Sequence, residues 1–309
     1  MRALLALATA AVGACALIEP LEPVNELPFA RTRDGRILID VVINDIGPYP
    51  FVVDTAAGAT IVDQSLAAEL ELVSQGFELT ILGLESAVAL PAFAPARLGL
   101  GTDTVELDWL LVHDLDQPGA RGVLGLDALS RYAVMIDGRR QVLGLSHGRY
   151  APRRAVDNAT EIKIAPNAFG LPIVEYDINR ARGAALIDTG IGGLIVDPDF
   201  ADLARVARSR TDEELSDLTN TDLPVRRIGR GTVSMAGAEW SRIEMALARP
   251  LVFEHLAENE ISALLGADLF ASVTLVLDFP AQRIFVVERR SSFSQARTTR
   301  VFQQTTFER

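Results

Sequence analysis

A thirteen-residue segment occurs twice in this chain. Phe51-Val-Val-Asp-Thr-Ala-Ala-Gly-Ala-Thr-Ile-Val-Asp63 is matched by Ala185-Leu-Ile-Asp-Thr-Gly-Ile-Gly-Gly-Leu-Ile-Val-Asp197. The shared core is Asp-Thr-x-x-Gly-x-x-Ile-Val-Asp, offset by 134 residues from position 54 to position 188. Such a repeat constrains the fold before any residue-level reading, because the chain must build one supersecondary unit twice. The repeat continues downstream. Val123-Leu-Gly-Leu-Asp-Ala-Leu129 matches Leu264-Leu-Gly-Ala-Asp-Leu-Phe270, with Gly125 and Gly266 offset by 141 residues.

Each copy carries the same local signals. Apolar or alternating strands precede each Asp-Thr: Ile37 to Ile43 with Tyr49 to Val53, and Leu171 to Ile178 with Ala184 to Ile187. Asp63 and Asp197 sit where an N-cap carboxylate opens a helix, and Pro198 suits a first helical turn. The helices read as Ser65–Leu70 and Phe200–Ala207. After each Gly motif comes a strand pair broken by a turn. One is Tyr132–Ile136 and Gln141–Leu145 around Asp137-Gly138; the other is Val273–Leu277 and Arg283–Val287 around Asp278-Phe279-Pro280. The pattern predicts an all-β protein with a few short helices, built as two pseudo-symmetric lobes. An N-terminal lobe spans 26–150 and a C-terminal lobe 160–288, each of ordinary domain size. The polar stretch Gly148 to Thr160, with Pro152, Arg153 and Arg154, reads as the join.

The ends read differently. Residues 1–16 read as a secretory signal segment, with Arg2 ahead of an apolar run too short to span a membrane. Ala14-Cys15-Ala16 fits a signal peptidase site. Val12-Gly13-Ala14-Cys15 resembles a lipobox, which would make Cys15 a lipid-bearing residue and a membrane anchor. Either processing route places the protein outside the cytoplasm, in a bacterial periplasm or on a membrane as a lipoprotein. Residues 289–309, with five Arg and one Glu, read as a mobile basic tail.

Composition excludes whole classes of function. Net charge is −12 over 309 residues, so nucleic acid is not an expected partner. One cysteine and three histidines leave no disulfide framework and no Cys/His metal cluster. Lys163 is the only lysine, which removes phosphate-loop chemistry and most Schiff-base chemistry. No cofactor or metal is expected.

What remains is the repeated aspartate. Asp54 and Asp188 each follow three apolar strand residues, a costly place for a charge that lacks partners. Thr55 and Thr189 can lock tight turns, and Gly190 can take backbone angles that a side chain forbids. If the lobes pack about a pseudo-two-fold axis, the two carboxylates face each other. Two such carboxylates share one proton, so one can act as base and the other as acid.

On these residues the chain resembles the aspartic peptidases, in particular the bacterial retropepsin-like family. That family shows Asp-Thr/Ser-Gly at the active-site loop, then two apolar residues and Gly before a short helix. The matching positions are Asp54-Thr55-Ala56 with Val123-Leu124-Gly125, and Asp188-Thr189-Gly190 with Leu264-Leu265-Gly266. The resemblance spans roughly residues 33–288 and implies acid-protease-like β-barrel lobes. It implies that Asp54 and Asp188 are the catalytic dyad of an endopeptidase acting on polypeptide. Thr55 and Thr189 would hold the loops together, and Gly125 and Gly266 would let the next strand pass closely behind each loop. It also implies a covering hairpin, for which Thr80–Ala87 with Gly83, and Gly229–Gly237 with Gly231 and Gly237, are the candidates. The chain departs from the family at Ala56, where Gly is usual, and at Ile191 and Leu194, where the first copy has Ala57 and Thr60. Those departures motivate a second reading, a protease-like fold acting as a binding or scaffold protein in the cell envelope. A glycosidase using two carboxylates is a third, weakened by the scarcity of aromatics to stack sugars. His113, His147 and His255 read as structural, and Trp109 and Trp240 as core. Asp127 and Asp268 read as caps of the helices they open, and Thr211–Asp217 as a solvated acidic helix or loop.

Overall fold

The computed structural model describes residues 25–115, 119–147, 158–165, 167–216 and 222–288. The signal segment with Cys15, most of the expected join, and the basic tail lie outside the described residues.

The two Gly motifs are followed by the hairpins that the sequence marks. Strands Ala133–Asp137 and Val142–Ser146 pair antiparallel, as do Thr274–Asp278 and Arg283–Glu288. The Asp137 carboxylate closes the first turn by accepting from the Arg139 and Arg140 amides. The first strands of the two hairpins then pair with each other, Ala133 opposite Asp278 and Asp137 opposite Thr274. A shift of 141 residues converts each of those pairs into the other. The pseudo-two-fold axis therefore passes through the central pair, Met135 and Val276. Asn25–Pro28 and Asn158–Lys163 complete this six-stranded sheet at its two edges. Asn158 to Thr160, expected within the join, thus belong to an edge strand.

On this base stand two further sheets, of ten strands in the first half and seven in the second. Each holds the same nucleus. Ile46–Val53 runs parallel to Gly122–Leu124, which runs antiparallel to Ile61–Asp63. In the second half Ala181–Ile187, Ile261–Leu265 and Leu194–Val196 repeat the arrangement. Phe51, Val52 and Val53 and their counterparts Ala185, Leu186 and Ile187 are fully or almost fully buried, as continuous apolar runs in central strands should be. The fold is all-β, with two pseudo-symmetric lobes on a shared sheet.

The helices cap as the sequence indicates. The Asp63 carboxylate accepts from the Ser65 amide and opens Gln64–Glu69; Asp197 accepts from the Asp199 and Phe200 amides and opens Pro198–Leu203. The second helix is shorter than expected. Arg205 takes a left-handed backbone (φ 52°), as does Glu71 at the same place in the first half (φ 51°), and this stops each helix. Thr211–Ser216, expected as helix or loop, lies in the strand Ala207–Ser216, which pairs with Asp222–Met235; Asp217 lies outside the described residues. Trp240 is buried edge-on to Phe270 as a core residue. Trp109 is not core: it is exposed and meets the exposed Phe77 edge-on.

The shared sheet makes each half dependent on the other. Separated, each exposes a bare strand edge, Ala133–Asp137 or Thr274–Asp278, which invites pairing with another chain. Co-expressed as two chains, 25–147 and 158–288 are expected to form a 1:1 complex on size exclusion, and either alone to self-associate. A half that is monomeric and folded by itself would contradict this.

Candidate active site

The two Asp-Thr loops meet at the centre of the molecule, and threonine holds them there. The Thr55 hydroxyl donates to the Ile187 carbonyl (2.7 Å) and accepts from the Thr189 amide (3.1 Å). The Thr189 hydroxyl donates to the Val53 carbonyl (2.7 Å) and accepts from the Thr55 amide (3.1 Å). Both threonines are fully buried. Each hydroxyl thus satisfies one donor and one acceptor of the opposite loop, groups that would otherwise be buried without partners.

Behind the loops the backbone is equally matched. The Asp54 amide donates to the Leu124 carbonyl and the Asp188 amide to the Leu265 carbonyl, each at 3.0 Å. A Cβ at Gly125 would overlap the backbone of Ala59, and one at Gly266 would overlap the Gly193 carbonyl. Both glycines are therefore needed for space, since neither takes a left-handed backbone.

Asp54 and Asp188 are mostly buried, each 8% exposed. The Ala56 and Ala57 amides donate to Asp54 Oδ1 at 2.8 and 2.9 Å. The Gly190 amide donates to Asp188 Oδ1 at 3.0 Å. The loops approach so closely that a Cβ on Gly190 would overlap the Asp54 carboxylate. Gly190 is required by this contact and not by its backbone angles, which lie outside the left-handed region. Ala56 also lies outside that region, so its methyl group stores no backbone strain.

Around this symmetric centre the halves diverge. In the first, the Thr60 hydroxyl accepts from the Gly125 amide (3.2 Å) and donates to Asp127 Oδ1 (2.6 Å), while the Thr60 amide donates to Asp127 Oδ2 (2.8 Å). Asp127 therefore buttresses the loop while also accepting from the Ala128 amide in the first turn of its helix (2.9 Å), although the N-cap position itself is Gly125. In the second half Leu194 and Ile191 are buried and offer no hydroxyl. Asp268, the counterpart of Asp127, turns to Arg31 of the first half instead (3.4 Å), and Gly266 occupies the N-cap. Arg31 also donates to the Gly35 carbonyl (2.6 Å). Gly35 takes a left-handed backbone (φ 91°) directly against the Asp268 carboxylate, and a Cβ on Gly192 would overlap the neighbouring Asp34 carbonyl. The turn Asp34-Gly35 is visible in the sequence, but nothing there indicates that it props the second loop.

The candidate covering hairpins separate. Gly83 lies at the turn between strands Ser74–Leu82 and Ala87–Phe93, donating to the Ser86 carbonyl (2.8 Å). Gly231 lies inside the strand Asp222–Met235, and Gly237 (φ 77°) turns that strand into Ala238–Leu247 against Thr160 of the shared sheet. That turn faces the base and not the loops. By the repeat, the second counterpart of the Gly83 hairpin is formed by Ala207–Ser216 and Asp222–Met235, and its tip lies outside the described residues.

No protein-family model matches the chain, and no curated protein sequence matches it. Among solved structures, the aspartic proteinase from Irpex lacteus is similar in fold, with a TM-score of 0.57 at 12% identity, over 85% of this chain and 97% of that one. The likeness shows an acid-protease fold.

Two measurements follow from the buttressing contacts. Thr55→Ala leaves the Thr189 amide and the Ile187 carbonyl buried without their partner, so denaturant unfolding is expected to show a loss of about 2–4 kcal/mol. Thr55→Ser keeps the hydroxyl and is expected to restore most of it; equal losses in both variants would contradict the hydroxyl account. Burial raises Asp268 to about 6, because desolvation outweighs the attraction of Arg31. A carboxyl raised on folding is better accommodated protonated. Its contribution to stability is thus fully present below about pH 4 and lost as pH rises through about 6. Asp268→Asn is expected to flatten the fall in stability between those pH values, by on the order of 2 kcal/mol. An unchanged profile would contradict it.

Proposed function

We propose that this chain is an aspartic endopeptidase of the retropepsin-like kind, with Asp54 and Asp188 as one dyad supplied by a single chain. The observation that carries the reading is the reciprocal threonine bonding, which seats the Asp54 carboxylate on Gly190 of the opposite loop. A water held between the carboxylates attacks the scissile carbonyl carbon, giving its proton to the ionised carboxylate. The protonated carboxyl hydrogen-bonds the carbonyl oxygen and passes its proton to it as the tetrahedral intermediate forms. Collapse of that intermediate breaks the C–N bond: the carboxyl that took the water's proton gives it to the leaving amine, and the other carboxylate takes back a proton from one hydroxyl of the intermediate, which restores the dyad. The amides of Ala56, Ala57 and Gly190 hold the carboxylates in orientation throughout. Its substrate is a polypeptide. The signal segment 1–16 directs the chain out of a bacterial cytoplasm, either into the periplasm after cleavage at Ala14-Cys15-Ala16 or onto a membrane through a lipid on Cys15 after cleavage ahead of it.

The test is cleavage of an unfolded protein substrate by wild type, Asp54→Asn, Asp188→Asn and the double variant. Each single change is expected to abolish hydrolysis with the fold retained, and the double to be no worse than either, because acid and base form one unit. Substantial activity in a single variant would show that the loops do not form one site. An inert wild type would favour the scaffold reading instead.

A further inference from the structure

The repeat that matches the two loops also matches their surroundings, and at one place the second half has lost what the first half carries. In the first half Tyr49, Glu69 and Arg121 form a closed set. The Tyr49 hydroxyl donates to Glu69 Oε1 (3.0 Å), and Arg121 donates to Glu69 Oε2 (2.9 Å). The Arg121 guanidinium lies over the Tyr49 ring, 5.7 Å from its centre. The 134-residue offset carries Tyr49 to Gly183 and Glu69 to Leu203, and the 141-residue offset carries Arg121 to Ser262. Backbone bonding bears out the match: the Arg121 carbonyl accepts from the Asp63 amide (3.0 Å), and the Ser262 carbonyl from the Asp197 amide (2.9 Å). Ring, cation and carboxylate are thus all replaced by smaller or apolar groups.

The replacements leave a cavity of about 440 Å³, open to solvent, in the ordinary size range of ligand sites. Gly183, Ser262, Phe200 and Leu203 are part of its lining. Phe200, standing where the first half has Leu66, takes up part of the vacated room, because a Cβ on Gly183 would meet its ring and the Ser262 hydroxyl. The strand itself therefore cannot refill the place with a side chain at 183. The Ser262 hydroxyl is engaged with the Ala184 carbonyl (3.2 Å) and the Tyr176 hydroxyl (3.1 Å). Half-buried Phe200 and Leu203, which is 70% exposed, make an apolar wall. At the rim stand two exposed carboxylates, Glu175 and Glu260. Arg182 is there too, 3.9 Å from both Glu175 and Asp177, so the acids outnumber it. Gly183 lies five residues ahead of Asp188 along an extended strand, which sets the cavity roughly 16 Å from the dyad.

We infer that this cavity is a second binding site, for a polypeptide segment that presents an aromatic side chain and, two residues on, an arginine. Such a segment returns from outside the ring and cation that the second half has lost. In an extended segment side chains two residues apart share a face. The ring can then lie against Phe200 and Leu203 while the guanidinium meets Glu175 or Glu260, as Arg121 meets Glu69. A polypeptide is the fitting partner because ring and cation in the first half come from two separate points of the backbone. Ring contact and an exposed ion pair place a short peptide at a Kd of about 0.1–1 mM. The inference does not rest on the peptidase reading.

The test titrates the full chain, labelled with nitrogen-15, with a blocked Tyr-Ser-Arg peptide and follows backbone amide shifts. Saturable shifts are expected at Gly183, Ala184 and Leu203. Replacing the probe's arginine by serine is expected to weaken binding about two- to fivefold, the range of an exposed ion pair. Replacing its tyrosine by alanine is expected to weaken it about tenfold, from the lost ring burial. Glu175→Gln with Glu260→Gln is expected to weaken the arginine probe about two- to fivefold and to leave the serine probe unchanged. Ser262→Arg restores the first-half cation and is expected to abolish the shifts. Leu203→Ala, at an exposed position, is expected to weaken binding about threefold and serves if Ser262→Arg does not fold. Shifts confined to the loops of Asp54 and Asp188 would show a peptide held only as substrate and would overturn the second site. So would equal binding of the alanine probe, or unchanged binding in Leu203→Ala. Tyramine binding as tightly as the peptide would overturn the polypeptide assignment in favour of a small aromatic amine. The shifts are read at the cavity and not from cleavage, so they decide the matter even if the chain hydrolyses nothing.

Discussion

Two buried hydroxyls hold this structure together at its centre. Without Thr55 and Thr189, the opposed loops would present two amides and two carbonyls to each other with nothing to join them. A loop end carrying an acidic side chain has no hydrophobic reason to approach a second one. The reciprocal bonds supply that reason, and they work only because the shared sheet brings the two halves into two-fold register. The arrangement is mutual: the sheet orients the halves, and the threonines fix the last few ångströms, within which Gly190 alone leaves room for the Asp54 carboxylate.

The halves have kept this centre and changed what lies around it. In the first, a threonine and an aspartate within one lobe brace the loop. In the second, leucine has replaced the threonine, and the aspartate is met by arginine from the other lobe. Neither member of that ion pair is favoured by its burial: desolvation lowers Arg31 and raises Asp268, each against the attraction of its partner. Such a pair adds little stability. Its position suggests a different value, since it joins the lobes beside the second loop and specifies how they sit. The tip of the Gly83 hairpin, whose Leu84 carbonyl accepts from the Leu251 amide (2.7 Å), is a second cross-lobe tie.

Much of this was legible from residues alone, for a physical reason. Strand, cap and turn signals are local, and the repeat doubled each of them, so that Asp63 and Asp197 could be recognised as helix caps from spacing. Ala56, which departs from the expected glycine, carries no left-handed backbone strain, because its φ lies outside that region. Gly190 was read as needing unusual backbone angles, whereas what a side chain there would lack is space beside Asp54. The cross-lobe ties were not legible. Arg31 and Asp268 lie 237 residues apart and follow no periodicity. Leu84 and Leu251 read as ordinary leucines until the fold sets them facing. Asp127 was read as a cap because acidic residues favour helix starts; it does meet the Ala128 amide, but its bonds to the buried Thr60 were not legible.

The central claim is that the paired loops make one site from two carboxylates. It is tested most directly by a crystal structure with a peptide analogue carrying a hydroxyl on a tetrahedral carbon in place of the scissile carbonyl. The account predicts that this hydroxyl lies within hydrogen-bond reach of both Asp54 and Asp188, at about 3 Å from each. A hydroxyl touching one carboxylate alone, or an analogue seated away from the two loops, would contradict it.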